Sequence, residues 1–286
     1  MTRPSDTGTG TSPTVTAPDG TGTGLPDTPV SDTPTAGTGD HAERYLAAAE
    51  SLLRRLRERE LDAIRRAGAA IADTVAAGGR ILAWGAGHSS LPAQDLVYRA
   101  GGLAVVNLLN VPGTTGVDVM PAHLGSALER VTGLAAAALD ASPARAGDLL
   151  IVISLSGRNV LPIEMARHAR SLGLTVVGVT SGAYAGHTTS RDPSGTFLRD
   201  HCDLVLDSGI GVGDTELSDP RIPAPFAPAS TVVTSALLQA VVATAAGELA
   251  ARGVEPPLLR SGNVDGGTEW NRRVMAENAD RVLWHR

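Results

Sequence analysis

Three short stretches of this 286-residue chain are small, hydroxyl-rich and built around glycine. They read Gly85-Ala86-Gly87-His88-Ser89-Ser90, Ser154-Leu155-Ser156-Gly157-Arg158-Asn159 and Thr180-Ser181-Gly182. Such segments present backbone N–H groups and hydroxyls to an anion without bulk. Where one runs into a helix, unpaired N–H groups and the positive end of the helix dipole reinforce it. Serine is also a common helix N-cap, so one such loop says little. Three of them converging on one cleft point to phosphate. His88 stands inside the first stretch, where it can bind a hydroxyl or shuttle a proton. A second set of candidates is acidic or amide-bearing. Asp214 and Glu216 lie in the long loop 208–229, and Asn263 and Asp265 in a late Gly-rich turn near Glu269 and Asn271. Long loops often carry function, although acidic loop residues are commonly just solvated.

The elements that must position these residues are legible as alternating patterns. Short apolar runs at 80–84, 103–107, 149–153, 174–179 and 204–207 have the length and composition of buried strands. Helical spacing fills 91–100, 125–139 and 161–172, and a loop joins the fourth run to the fifth. Strands alternating with helices predict an α/β fold: a three-layer αβα sandwich around a five-stranded parallel sheet. In such sheets ligands bind beyond the carboxyl ends of the strands, which is where the three loops fall. Before the sheet, apolar residues recur at helical spacing from Tyr45 to Val75, a long helix or helix pair ended by Gly78-Gly79. After it, residues 230–251 read as a buried helix and 256–286 as a C-terminal extension with a short final helix. The extension is expected to pack on the domain or on a partner subunit. Residues 1–39 are mostly Thr, Gly, Pro, Ser and Asp, with only six apolar residues. That segment cannot offset its ordering entropy and is expected to be a disordered tail. The main domain is then 40–255.

Composition removes several classes of function. The chain has no lysine, so Schiff-base chemistry and a Walker lysine are excluded. A net charge of −6 argues against a nucleic-acid partner. The single Cys202 excludes an intrachain disulfide and a four-cysteine zinc site, and it suits a reducing, cytoplasmic setting. No His-x-His or His-Glu-x-x-His spacing marks a metal. The longest apolar stretch, 231–246, is short for a bilayer span and no signal peptide is visible, so no membrane partner is expected. Gly85-x-Gly87-x-x-Ser90 approaches a dinucleotide fingerprint. Ser90 replaces its third glycine, however, and Asn107 stands where a ribose-binding acid belongs. No cofactor is expected.

The first loop, the Ser-x-Ser-Gly loop and the hydroxyl pair at 180–181 together resemble the sugar isomerase (SIS) domain, over about residues 45–255. Five motifs are similar, in order, to the UPF0309 subgroup: Gly87-His88-Ser89, the 98–103 run Tyr-Arg-Ala-Gly-Gly-Leu, 156–159, 162–166 and the 263–267 turn. The resemblance implies a phosphorylated sugar as ligand. Its phosphate loop maps onto Ser154, Ser156, Gly157 and Asn159, with Gly87 and Ser89 from the first loop and Thr180 and Ser181 from the third. Asn159 stands where the wider family has Thr or Ser; an amide also donates to phosphate. A homo-oligomer, dimer or tetramer, is implied as well.

SIS heptose isomerases and muramic-acid phosphate etherases carry a glutamate fifteen residues into the first motif. Here that position is Arg99. The resemblance places their second carboxylate on Glu129, which with His88 forms the candidate catalytic pair. Isomerisation and elimination share one step, removal of the proton beside the open-chain carbonyl. An acetamido group on C2 blocks ketose formation and diverts the carbanion to expel the C3 substituent. The expected function is therefore a lyase or dehydratase acting on an amino-hexose 6-phosphate, such as an N-acetylhexosamine 6-phosphate. An aldose–ketose isomerase and a non-catalytic sugar-phosphate sensor are the alternatives.

Overall fold

The computed structural model describes residues 40–285; the tail expected over 1–39 lies outside them. Two helices open it, α1 (His41–Arg59) and α2 (Leu61–Ala76). Asp40 caps α1 through a hydrogen bond from the Ala42 N–H. The single long helix allowed by the periodicity is in fact this pair, broken at Glu60, whose carboxylate leaves the helix line to accept the Asp207 N–H at 3.0 Å.

Five strands follow: β1 (Ile81–Gly85), β2 (Val106–Leu108), β3 (Leu149–Ile153), β4 (Thr175–Thr180) and β5 (Leu204–Asp207). They form one parallel sheet in the order β2-β1-β3-β4-β5. Between them run α3 (Ser90–Asp95), α4 (His123–Leu128), α5 (Leu134–Asp140), α6 (Val160–Ser171) and α7 (Gly182–His187); α8 (Ser230–Ala251) and α9 (Gly267–Glu277) close the chain. Successive strand residues face opposite sides. Ile81, Ala83, Leu149, Ile151 and Val177 join α1, α2 and α8 in one core. Leu82, Trp84, Leu150, Val152 and Val176 join α5 and α6 in the other. Both faces are covered, which is why the strands read as unbroken apolar runs. Helix α8 is long and apolar enough to cross a membrane by length and composition. Here Val233, Leu237, Leu238, Val241 and Ala245 of α8 pack into the first core.

Several expected boundaries are corrected, each for a local reason. The helix expected over 125–139 is two, α4 and α5, because Gly133 takes φ +85 between them. The helix expected over 91–100 stops at Asp95; beyond it Tyr98 turns with φ +47. The second strand begins at Val106 rather than 103, since Leu103 pairs antiparallel with Leu258 of the C-terminal segment. The connection from β4 to β5, expected to be a loop, contains α7 and a short 3-10 turn, Leu198–His201.

The strand order sets the site. From β1 the chain moves to β2 on one side, and β3 returns to the other. The loops after β1 and β3 therefore part, leaving a crevice at the carboxyl ends of these strands.

Candidate functional site

A cavity of about 300 Å³ occupies that crevice. Gly87, His88 and Ser89 enter from the loop after β1, Glu129 from the end of α4, Thr180 from the end of β4 and Ser208 from the residue after β5. The start of α8 completes it with Ser230 and Thr231, and Asp214 lies beside them. Ile153, Leu155 and Val179 supply apolar wall.

The loop after β1 is held from behind. Ser90 Oγ donates to the Gly87 carbonyl at 2.6 Å and accepts from the Gly116 N–H at 3.0 Å. Ser89 precedes α3 but makes no side-chain cap, so its hydroxyl is left to the cavity. His88 is exposed along the same wall.

Glu129 is tied to the start of α6 twice. Its carbonyl accepts the Leu161 N–H at 2.9 Å, and its carboxylate accepts from Asn159 Nδ2 at 2.6 Å. Burial raises its pKa above the usual carboxylate range, while the Asn159 hydrogen bond and the charges of Arg130 and Arg191 pull it back. A carboxylate held in this way is suited to accept a proton from carbon.

The expected phosphate-loop residues divide. Gly87, Ser89 and Thr180 line the cavity. Ser154, Ser156, Gly157 and Asn159 do not line it; they adjoin it through Leu155, which does, and through the bond from Asn159 to Glu129. Ser154 Oγ accepts from the Gly157 N–H at 3.3 Å, and the Ser156 hydroxyl has no hydrogen bond among the described residues. Ser181 is committed elsewhere: its hydroxyl donates to the Ile210 carbonyl at 2.6 Å and accepts from Ala183 N–H, capping α7.

The acidic candidates also separate. Asp214 reaches the cavity, but its carboxylate caps α8, accepting from Ala229 N–H, Ser230 N–H and Ser230 Oγ at 3.1, 2.9 and 2.6 Å. Glu216 is half-buried away from the cavity, and burial raises its pKa. Asn263 and Asp265 sit exposed in the turn before α9 and are not brought to the cavity. Two wall elements have no counterpart among the expected residues. Ser208 is 3% exposed, and its hydroxyl has no hydrogen-bond partner among the described residues. The rule that points to residues following each strand reaches Ser208, which directly follows β5; the α8 start, far along the chain, carries no such mark.

Residues 44–181 match the SIS domain family. A UPF0309 protein of Streptomyces coelicolor is 68% identical over 249 residues, covering 86% of this chain and 99% of its own. A UPF0309 protein of Geobacillus thermodenitrificans is 36% identical over 244 residues, covering 84% and 96%. Among solved structures, a phosphoheptose isomerase from Neisseria gonorrhoeae is similar with a TM-score of 0.48 and 18% identity, over 72% of this chain and 97% of that one.

Proposed function

Because the chain belongs to the UPF0309 family of SIS-domain proteins, we propose that it binds an N-acetylhexosamine 6-phosphate and eliminates the C3 substituent. The observation that carries this reading is a single cavity. Hydroxyls from three strand ends (Ser89, Thr180 and Ser208) share it with the carboxylate of Glu129, whose pKa burial raises, while the other carboxylate there, Asp214, is taken up by the start of α8.

The roles follow from placement. The phosphate lies toward Ser89 and the 154–159 loop at the start of α6, where N–H groups and hydroxyls meet a dianion. The open-chain sugar then extends across the cavity. Glu129 takes the C2 proton, and the C2–H electron pair moves toward the C1 carbonyl as an enolate. The enolate re-forms the carbonyl and a C2–C3 double bond, while the C3–O bond breaks. His88 lends the departing oxygen its proton, so water leaves when the substituent is a hydroxyl. Carrying the sugar's phosphate at one end fixes C2 near the base, which is the positional part of the catalysis. The chain works in this reading as a cytoplasmic homo-oligomer, and sedimentation in solution tests the assembly.

The test is proton exchange in deuterated water with an N-acetylhexosamine 6-phosphate, followed by product mass. The expected result is exchange at C2 with loss of water, and Glu129→Gln binding the sugar without exchange. Unchanged mass with a hexose carrying a free 2-hydroxyl would replace elimination by isomerisation. Binding with no exchange for any member would make the chain a sensor.

A further inference from the structure

Three arginines gather around Glu129 and Asn159. Arg130 adjoins Glu129 in the chain, and Arg158 precedes Asn159. Arg191, in the connection after α7, donates its backbone N–H to the Arg158 carbonyl at 2.8 Å. Its guanidinium donates to Asn159 Oδ1 at 2.9 Å, on the opposite side of the amide from Glu129. None of the three cations is in an ion pair among the described residues. Asp192, next to Arg191, is turned away to Ser194 and Arg167. The Nε of Arg158 is buried without a hydrogen-bond partner among the described residues.

A buried charged donor left unpartnered is costly, and so is a crowd of like charges. Arg191 registers the crowding: partial desolvation and the fields of Arg158 and Arg130 lower its pKa. Three cations against the one carboxylate of Glu129 leave two positive charges uncompensated. A phosphate monoester at neutral pH carries close to two negative charges, in about the −1.5 to −2 range. The hydroxyls of the 154–159 loop give shape and hydrogen bonds but no charge. The arginines stand beside that loop and supply what it lacks.

We propose that Arg158 and Arg191 form the charged side of the phosphate loop, with a phosphoryl dianion as their counter-ion. The inference rests on the phosphosugar reading and adds to it the residues that recognise the anion. Guanidinium forks suit phosphate, and such charge-assisted bonds are stronger than those from neutral hydroxyls. Affinity should therefore fall steeply with salt, because exposed parts of the cluster are screened.

Calorimetric titration with inorganic phosphate and with a hexose 6-phosphate, at low and high ionic strength, tests this. Arg158→Gln and Arg191→Gln should each weaken both ligands about tenfold or more, and the double variant should flatten the salt dependence. Arg191→Lys keeps the charge but not the fork; it should keep the salt dependence with reduced affinity, which separates charge loss from misfolding. Ser156→Ala serves as the comparison. If it weakens phosphate binding while both Gln variants bind like the parent protein at low salt, the arginine assignment is overturned and the phosphosugar reading stands. If the parent protein binds neither inorganic phosphate nor any hexose 6-phosphate, both readings fall together.

Discussion

Glu129 sits between opposing influences, and in the proposed role of base its neighbours decide when it can act. Burial raises its pKa; Asn159, Arg130 and Arg191 lower it. Removing the amide in Asn159→Ala should raise that pKa further. A base works only when deprotonated, so the acid limb of the pH–rate profile for C2 exchange should move to higher pH. A limb that stays in place would mean that Asn159 does not tune the base. The same residue has a stability consequence. A carboxylate with a raised folded-state pKa holds its proton more tightly folded than unfolded. Stability from this group is then full below the unfolded pKa and falls as pH rises through the folded one. Above the folded-state pKa the ionised side chain is a burden, so there Glu129→Gln should stabilise the fold while stopping turnover. The gain, read by thermal melting, is about 2–4 °C for each kcal/mol recovered in a domain of this size. At this scale the cavity was half legible. Thr180 ends β4 and His88 and Ser89 lie in the loop just past β1, so position in the chain predicts position in space. Ser181, in a hydroxyl-rich strand-end loop, and Asp214, in the long loop after β5, both serve as caps, because a hydroxyl or carboxylate beside a helix start suits backbone N–H as well as ligand. Arg158 and Arg191 are 33 residues apart in the sequence, and only folding pairs them.

The strands are anchored at the end away from the cavity. Arg80, just before β1, meets Asp148, just before β3, with Nε and Nη2 at 3.1 and 2.8 Å from Oδ2. The two side chains are 6% and 0% exposed. Asp148 also accepts the Arg80 and Arg145 backbone N–H groups. Truncating one partner strands the other charge, so Asp148→Ala should destabilise by about 3–5 kcal/mol in denaturant unfolding, while folded protein keeps its binding constant. At the other end, Gly85 has no room for a side chain. A Cβ there would lie 2.2 Å from the Ser89 carbonyl oxygen and 2.5 Å from its carbon. Gly85→Ala should cost about 1–3 kcal/mol and, unlike Asp148→Ala, weaken sugar-phosphate binding by displacing the loop. The elements were more legible than the site because each core strand is covered on both faces and writes a continuous apolar run. What escaped the pattern were terminations set by distant contacts, such as Glu60 reaching to Asp207 and Leu103 pairing with Leu258.

Across the molecule, the C-terminal segment returns to the β2 side of the sheet. Asn107 is 1% exposed and receives that segment. Its amide donates to the Arg281 carbonyl at 2.9 Å and accepts from the Leu283 N–H at 2.7 Å. Trp284 packs on Tyr98 with centroids 4.6 Å apart and donates Nε1–H to the Ala104 carbonyl at 3.1 Å. Asn107→Ala leaves the buried partners unmet and should cost about 1–3 kcal/mol, with faster proteolysis of the last turns as the accompanying sign. Asn107 thus occupies the place of a ribose-binding acid and holds the chain's own end instead. Cys202 is also enclosed, with burial pushing its thiol up to about 12, so native protein should resist alkylation near neutral pH.

The pairing of Leu103 with Leu258, and of the Ala104 N–H with the Pro257 carbonyl at 2.8 Å, has a consequence for solubility. Open outer strands are templates for uncontrolled intermolecular growth. Here residues 257–258 hold the segment just ahead of edge strand β2 and Asn107 of β2 holds 281–283, so the C-terminal extension lies along that margin like a selvedge. A chain clipped after α8 would bare that margin and should precipitate more readily on concentration than the full chain, which light scattering checks.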